Sequence, residues 1–160
     1  MIDPYEAALQ GVSEKFQSMG FKITRNNDYA ATLSNGEFLL DFSTDRYRHP
    51  SLAGVLTTPA GKKYELGLLR SILSPVAYEA DMQALKAIRG RFDLDKPPSD
   101  RTIRREGILE YVRTSLDQVH QFLLREGERV FSLSIDLDAE YSARSREMMS
   151  KMVKYHVKPN

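Results

Sequence analysis

YAATLSNGEFLLDF, residues 29–42, consists of two alternating stretches joined by Asn35-Gly36. Asn-Gly tolerates positive φ at both positions, as a two-residue type I′ hairpin turn requires. Closure there pairs Ser34 with Glu37, Leu33 with Phe38, Ala31 with Leu40 and Tyr29 with Phe42. Side chains alternate along a strand, so this register places Tyr29, Ala31, Leu33, Phe38, Leu40 and Phe42 on one face. Ala30, Thr32, Leu39 and Asp41 fall on the other. One face is a core face and the second is mixed, the pattern of an antiparallel sheet covered on one side.

Upstream, Asp3-Pro4 reads as an N-cap and first-turn proline, and Tyr5, Ala8, Leu9, Val12, Phe16 and Met19 recur at helical spacing until Gly20. Residues 21–25 form a strand candidate, joined to the hairpin by the turn cluster Asn26-Asn27-Asp28. Downstream, residues 52–58 read as a fourth strand, and Pro59-Ala60-Gly61 turns into a short fifth one at 63–66. The first 66 residues therefore predict a helix followed by an antiparallel meander.

Beyond residue 66 the period changes. Leu68, Leu69, Ile72 and Leu73 suit a short helix, and Ser74-Pro75 opens another that runs to about Arg89. Residues 93–100, DLDKPPSD, form a linker-like loop, since Pro97-Pro98 cannot lie inside a helix. A helix over 101–124 then presents Ile108, Tyr111, Val112, Leu116, Val119, Phe122 and Leu123 to the bare sheet face, and Gly127 is expected to end it. In RVFSLSIDLD, Phe131, Leu133, Ile135 and Leu137 alternate as in a strand, while Val130, Leu133, Leu137 and Tyr141 fit a helix; the alternation favours the strand. A last helix begins near Asp138, with Met148, Met149 and Met152 at a spacing that suits core packing. The fold class expected is α+β: an N-terminal helix, an antiparallel meander of four to six strands and covering C-terminal helices, in one domain over residues 1–160.

Composition bounds the function. The 23 basic and 22 acidic side chains cancel, so no global field steers the chain to nucleic acid or an anionic membrane, and a charged partner must meet a local patch. No apolar run approaches a membrane span, and MIDPYEAALQ has neither the basic nor the apolar region of a signal peptide. The absence of cysteine excludes disulfides, thiolate metal sites and thiol catalysis, and fits a cytoplasmic location.

Two local clusters carry the functional candidates. Residues 41–49, DFSTDRYRH, leave a core strand and hold two carboxylates, two arginines, a tyrosine and a histidine. Asp45, Arg46, Tyr47, Arg48 and His49 form the candidate partner-binding tip, because loops on a rigid sheet carry binding groups and Tyr and Arg are favoured interface anchors. A solvated turn with local ion pairs is the competing reading. The second cluster spans residues 86–105, with seven basic against three acidic side chains, and Arg101, Arg104 and Arg105 form an alternative patch for phosphate or RNA. Its one aromatic, Phe92, gives little for bases to stack on.

Catalytic constellations are not evident. Asp41, Asp45, Lys63 and Glu65 hold the residue types of a metal-dependent nuclease, but nothing in their spacing brings them together. His49, His120 and His156 show no metal-ligand spacing, and the serines between 132 and 150 lie in neither a GxSxG elbow nor an SxxK motif. Neither a cofactor nor a metal site is expected. In outline the architecture resembles the small cytoplasmic immunity proteins that bacteria encode beside secreted toxins. The resemblance involves no motif, so no functional residue is carried over. It implies a non-enzymatic binding protein that occludes one protein partner, a toxin domain.

Overall fold

A computed structural model of the chain describes residues 4–27, 29–44, 50–96, 101–132 and 137–156. Its elements run α1 (Pro4–Gln10), α2 (Val12–Gln17), β1 (Lys22–Asn26), β2 (Ala30–Ser34), β3 (Leu39–Thr44), β4 (Leu52–Thr57), β5 (Lys63–Glu65), α3 (Leu66–Leu73), α4 (Pro75–Arg91), α5 (Arg101–Phe131) and α6 (Leu137–His156). The fold is α+β, and the five strands form one antiparallel meander in the order β1-β2-β3-β4-β5. None of the helices among the described residues is long and apolar enough to cross a membrane.

The central hairpin corrects the sequence register by two residues. Ser34 pairs with Leu39, Leu33 with Leu40 and Ala31 with Phe42, leaving residues 35–38 as the loop. Side-chain chemistry explains the longer loop. The Asn35 Oδ1 accepts hydrogen bonds from the amides of Glu37 (3.0 Å) and Phe38 (2.7 Å), and the Ser34 hydroxyl oxygen accepts one from Gly36 N–H (3.0 Å). Only Gly36 takes positive φ, +94°, so the turn is not type I′. A slip of two preserves the alternation, and Ala31, Leu33, Leu40 and Phe42 stay on the buried face as expected. Phe38, released from the ladder, turns into the core and is 1% exposed, whereas Tyr29 lies past the end of β2 and is 37% exposed.

One sheet face is covered by helices. Leu33, Leu40, Phe42, Leu56 and Tyr64 share a core with Leu9, Val12 and Phe16 of the N-terminal helices and with the α5 stripe. The Phe16 and Phe42 rings stack at 5.4 Å between centroids. On the opposite face Thr32, Asp41, Val55 and Glu65 form one row across four strands, and none of them is buried. The expected N-terminal helix is two helices broken at Gly11, and Gly20, at φ +82°, turns the chain into β1.

The helix expected over 101–124 continues for 31 residues to Phe131, a length of about 46 Å at 1.5 Å per residue. Gly127 does not end it. It lies buried within the stripe that passes through Leu123 and Val130, and the next residue, Phe131, brings its ring within 5.1 Å of Phe38 and 5.7 Å of Phe21. The strand expected from 130 is therefore helical at Val130 and Phe131 and again from Leu137, while 133–136 lie outside the described residues. Helix wins because it carries Val130 and Phe131 onto the aromatic end of the core. Ser74 precedes α4 as expected, but its hydroxyl makes no cap bond and donates to Glu126 Oε1 instead, at 3.4 Å.

The loop after α4 is held closely at its start. Gly107 lets it approach α5, since a Cβ there would sit 2.6 Å from Phe92. Leu94 is 1% exposed, and Arg104 Nη1 donates to the carbonyls of Leu94 (3.1 Å) and Lys96 (3.2 Å). Towards the other end of the described chain, the first turns of α6 are tied to β5 and to Lys62 just before it. Asp138 pairs with Lys62 and accepts from the Tyr64 hydroxyl at 3.1 Å. Tyr141 Oη accepts the Glu65 amide hydrogen at 2.9 Å, and its ring meets Tyr64 edge-on at 5.0 Å. Met148 and Met149, expected in the core, are 47% and 63% exposed.

Candidate functional site

The sequence-predicted tip, Asp45 to His49, lies outside the described residues, and only its two ends are placed. At the first, Thr44 N–H and hydroxyl both donate to Tyr29 O, at 2.8 and 3.2 Å. At the second, Pro50 is buried and its carbonyl accepts from Arg89 Nη2 at 3.0 Å. Both flanking residues are thus hydrogen-bonded, Thr44 to Tyr29 and Pro50 to Arg89 of α4.

In the alternative basic cluster Arg89, Arg91 and Arg104 are engaged within the molecule, and the Arg101 side chain lies outside the described residues. Arg89 also donates to the Tyr111 hydroxyl oxygen at 3.1 Å, with its guanidinium 5.0 Å from that ring's centre. Arg91 pairs with Glu110 and lies 4.9 Å over Phe92. Arg104 is the clamp on the preceding loop, and Arg105 is half-buried. These arginines satisfy carbonyls and one carboxylate, which explains a charge run on a chain with no global excess. Nor do Asp41 and Glu65 of the nuclease-type residues converge, while Asp45 lies outside the described residues. Asp41 and Glu65 share a row, but Val55 stands between them, so they are two strand spacings or about 10 Å apart, too far to grip one ion. Asp41 accepts from the Thr32 hydroxyl instead.

The structure draws attention to a cleft that no motif marked. It lies between β4, the start of α3, α4 and α5, and has a volume of about 190 Å³. Its floor is the β4 segment 52–54, which pairs with β3 alone because β5 reaches only Val55 to Thr57. Its walls are apolar side chains of α4 and α5 together with Arg70, Tyr78, Tyr111, Ser115 and Gln118. Arg70 is 6% exposed, and its Nη2 donates to Asp81 Oδ2 at 2.6 Å. Gln118 is 7% exposed, and its Nε2 donates to the Asp81 carbonyl at 3.0 Å. Both keep one buried polar atom without a hydrogen-bond partner among the described residues, the Nε of Arg70 and the Oε1 of Gln118. Burial raises the pKa of Tyr111 from its ordinary 10.0 against the lowering effect of Arg89, so the phenol stays neutral.

A signal for this cleft does exist in the sequence. Tyr111, Ser115 and Gln118 recur at i, i+4 and i+7 beside the α5 apolar stripe, and Arg70 interrupts the apolar helix LGLLRSIL. Polar groups at helical spacing on a buried flank are otherwise costly, which makes such a row informative.

The second feature is the exposed Met148–Met149 edge of α6. Tyr141, which packs on β5, and Ser145 are half-buried, and Met148 and Met149 lie three and four residues beyond Ser145, exposed. A groove beside α6 is walled by Ile72, Pro75, Ala143 and Arg144. Compared with protein-family models, curated proteins and solved structures, the chain matches none.

Proposed function

We propose that this chain is a non-enzymatic protein-binding domain that holds one partner with the exposed Met148–Met149 edge of α6. The observation that carries this reading is the continuity of the α6 stripe. Tyr141 already packs on β5, Ser145 is half-buried, and Met148 and Met149 continue that side of the helix, exposed. An isolated exposed apolar side chain is ordinary. Two adjacent methionines prolonging an interface already in use are a ready docking edge, because the thioether is polarizable and adapts to a facing groove. The partner is a protein with an apolar groove that takes a helix. Occlusion of a toxin domain in the bacterial cytoplasm is the form of binding implied by the likeness to immunity proteins. The loop Asp45 to His49 is a second part of the same proposal, since both its flanks are hydrogen-bonded and Arg46, Tyr47 and Arg48 are good anchors.

The test uses the purified product of the neighbouring gene as partner. Changing Met148→Asp and Met149→Asp together is expected to weaken affinity at least tenfold, about 1.4 kcal/mol, while circular dichroism stays that of the parent. Alanine at Arg46, Tyr47 and Arg48 tests the loop in the same assay. Unchanged affinity in both variants, each folded, would overturn the reading.

A further inference from the structure

We infer that the free edge of β4 takes an extended segment of another protein as an added strand, which seats one aromatic side chain in the cleft and places a basic one beside Glu65. The ladder shows which backbone groups are on offer. Thr58 N–H donates to Lys62 O at 2.8 Å, where β4 turns towards β5. Backbone direction alternates with a period of two, so Leu56, Gly54 and Leu52 turn their N–H and C=O to that same side, while Thr57, Val55 and Ala53 turn theirs to β3. β5 ends at Glu65, opposite Val55, and among the described residues no strand stands beside Leu52. Solvent reaches this edge, since Ala53 is exposed and Ser51 and Leu52 are half-buried. The gap is bounded at both ends, by β5 at Val55 and by Arg89 Nη2, which donates to Pro50 O at 3.0 Å. Residues 51–54 remain, about 13 Å of strand at about 3.3 Å per residue, enough for a short segment to pair. An unpaired strand edge is a template for such pairing.

The cleft and its charge specify the segment. Ser51 to Gly54, four consecutive residues, all line the cleft, as a strand does when it presents its edge rather than one face. Residues directly opposed across two antiparallel strands point to the same face. Leu52 packs against the core, so an added residue across from it points the same way, into the cleft. There it meets Tyr78, Met82, Leu85, Tyr111 and Val119. The volume of about 190 Å³ suits one phenyl ring, since a cavity of about 150 Å³ accepts benzene. An added residue across from Ala53 points to the open face instead, about 6.6 Å along the same line from Glu65. Glu65 is exposed and has no ion pair among the described residues, whereas Asp81 already neutralises Arg70 at 2.6 Å. The uncompensated charge is therefore negative, and a lysine or arginine complements it. This site is separate from the Met148–Met149 edge and does not rest on that reading.

The experiment titrates the full-length ¹⁵N-labelled chain with the blocked peptide acetyl-Val-Lys-Phe-Lys-Val-amide, which alternates apolar and basic side chains. The backbone amides of residues 51–54 are expected to shift saturably with a Kd of about 1 mM or tighter, and the Leu52 amide hydrogen, newly bonded, to exchange more slowly. Three peptides serve as contrasts. Alanine in place of phenylalanine leaves the cleft unfilled, N-methylation of the phenylalanine amide removes its bond to Leu52 O, and glutamate in place of both lysines reverses the charge. Each should bind at least tenfold more weakly. Glu65→Gln, a change at an exposed side chain, should bring the lysine and glutamate peptides to within about threefold of each other. No saturable shift at residues 51–54 would overturn the inference. So would an alanine or N-methylated peptide that binds as tightly as the first, or a lysine preference that Glu65→Gln leaves unchanged.

Discussion

Two buried glycines of α5 call for opposite responses to one added methyl group. At Gly127 a Cβ would lie 3.4 Å from the Phe131 ring, an ordinary contact, so Gly127→Ala should raise stability by about 0.5–1 kcal/mol through helix propensity. At Gly107 it would lie 2.6 Å from both Cβ and Cγ of Phe92, and Gly107→Ala should cost about 1–3 kcal/mol by overpacking. Chemical denaturation of the two variants checks both signs together. Gly36 is a third case, with open space around it but φ +94°, so Gly36→Val should cost about 1–2 kcal/mol from backbone strain alone. An unchanged melting temperature would show that the loop 35–38 relaxes. Phe122, 0% exposed, should cost about 3–5 kcal/mol on truncation to alanine; a loss under about 1 kcal/mol would place the α5 stripe outside the core.

At the scale of elements, the first turns of α6 are bonded to the edge strand β5 and to Lys62 before it. The hydrogen bond from Lys62 holds the Asp138 carboxyl below its ordinary value of 3.8; burial opposes it, and the hydrogen bond from Tyr64 and the charge of Lys62 add to the lowering. A carboxyl with a lowered folded pKa stabilises fully above its unfolded value and stops doing so as pH falls through the folded one. The first turn of α6 should therefore loosen below about pH 3.8, and Asp138→Asn should loosen it at any pH. Tyr141→Phe should act likewise by removing the acceptor for the Glu65 amide. Residue-resolved amide exchange is the measurement: protection should fall in α6 and persist in β3 and β4. Equal loss in the sheet would show that α6 unfolds only with the whole domain.

For the molecule as a whole, His120 links pH to the joint between α5 and the N-terminal helices. It meets the Phe16 ring edge-on at 5.6 Å, and its Nε2 is buried without a partner among the described residues. Burial first, then the charge of Lys15, lowers its pKa from 6.5, with Asp117 opposing. The fold thus favours neutral imidazole, so its contribution is complete above pH 6.5 and declines as pH falls toward the lowered value. The melting temperature should drop between pH 7.5 and pH 5.5, and His120→Gln should flatten that drop. A parallel decline in parent and variant would assign the effect to other groups.

Local chemistry by itself determined the α+β class, the meander and the buried faces. Alternation has period two, so even a register two residues off left Leu33, Leu40 and Phe42 on the core side. The same holds for α5, whose stripe from Ile108 to Leu123 was legible from 3.6-residue spacing and is buried as read. Three things needed the tertiary structure. Whether RVF is helix or strand depended on Phe21 and Phe38 waiting at the end of α5, a contact between residues about a hundred positions apart. The exposure of Met148 and Met149 depended on what α6 packs against, which periodicity within α6 cannot report. The cleft depended on Asp81 of α4 binding Arg70 of α3 and Gln118 of α5 together. Spacing along a chain reports which residues share a face, but only packing decides what that face meets.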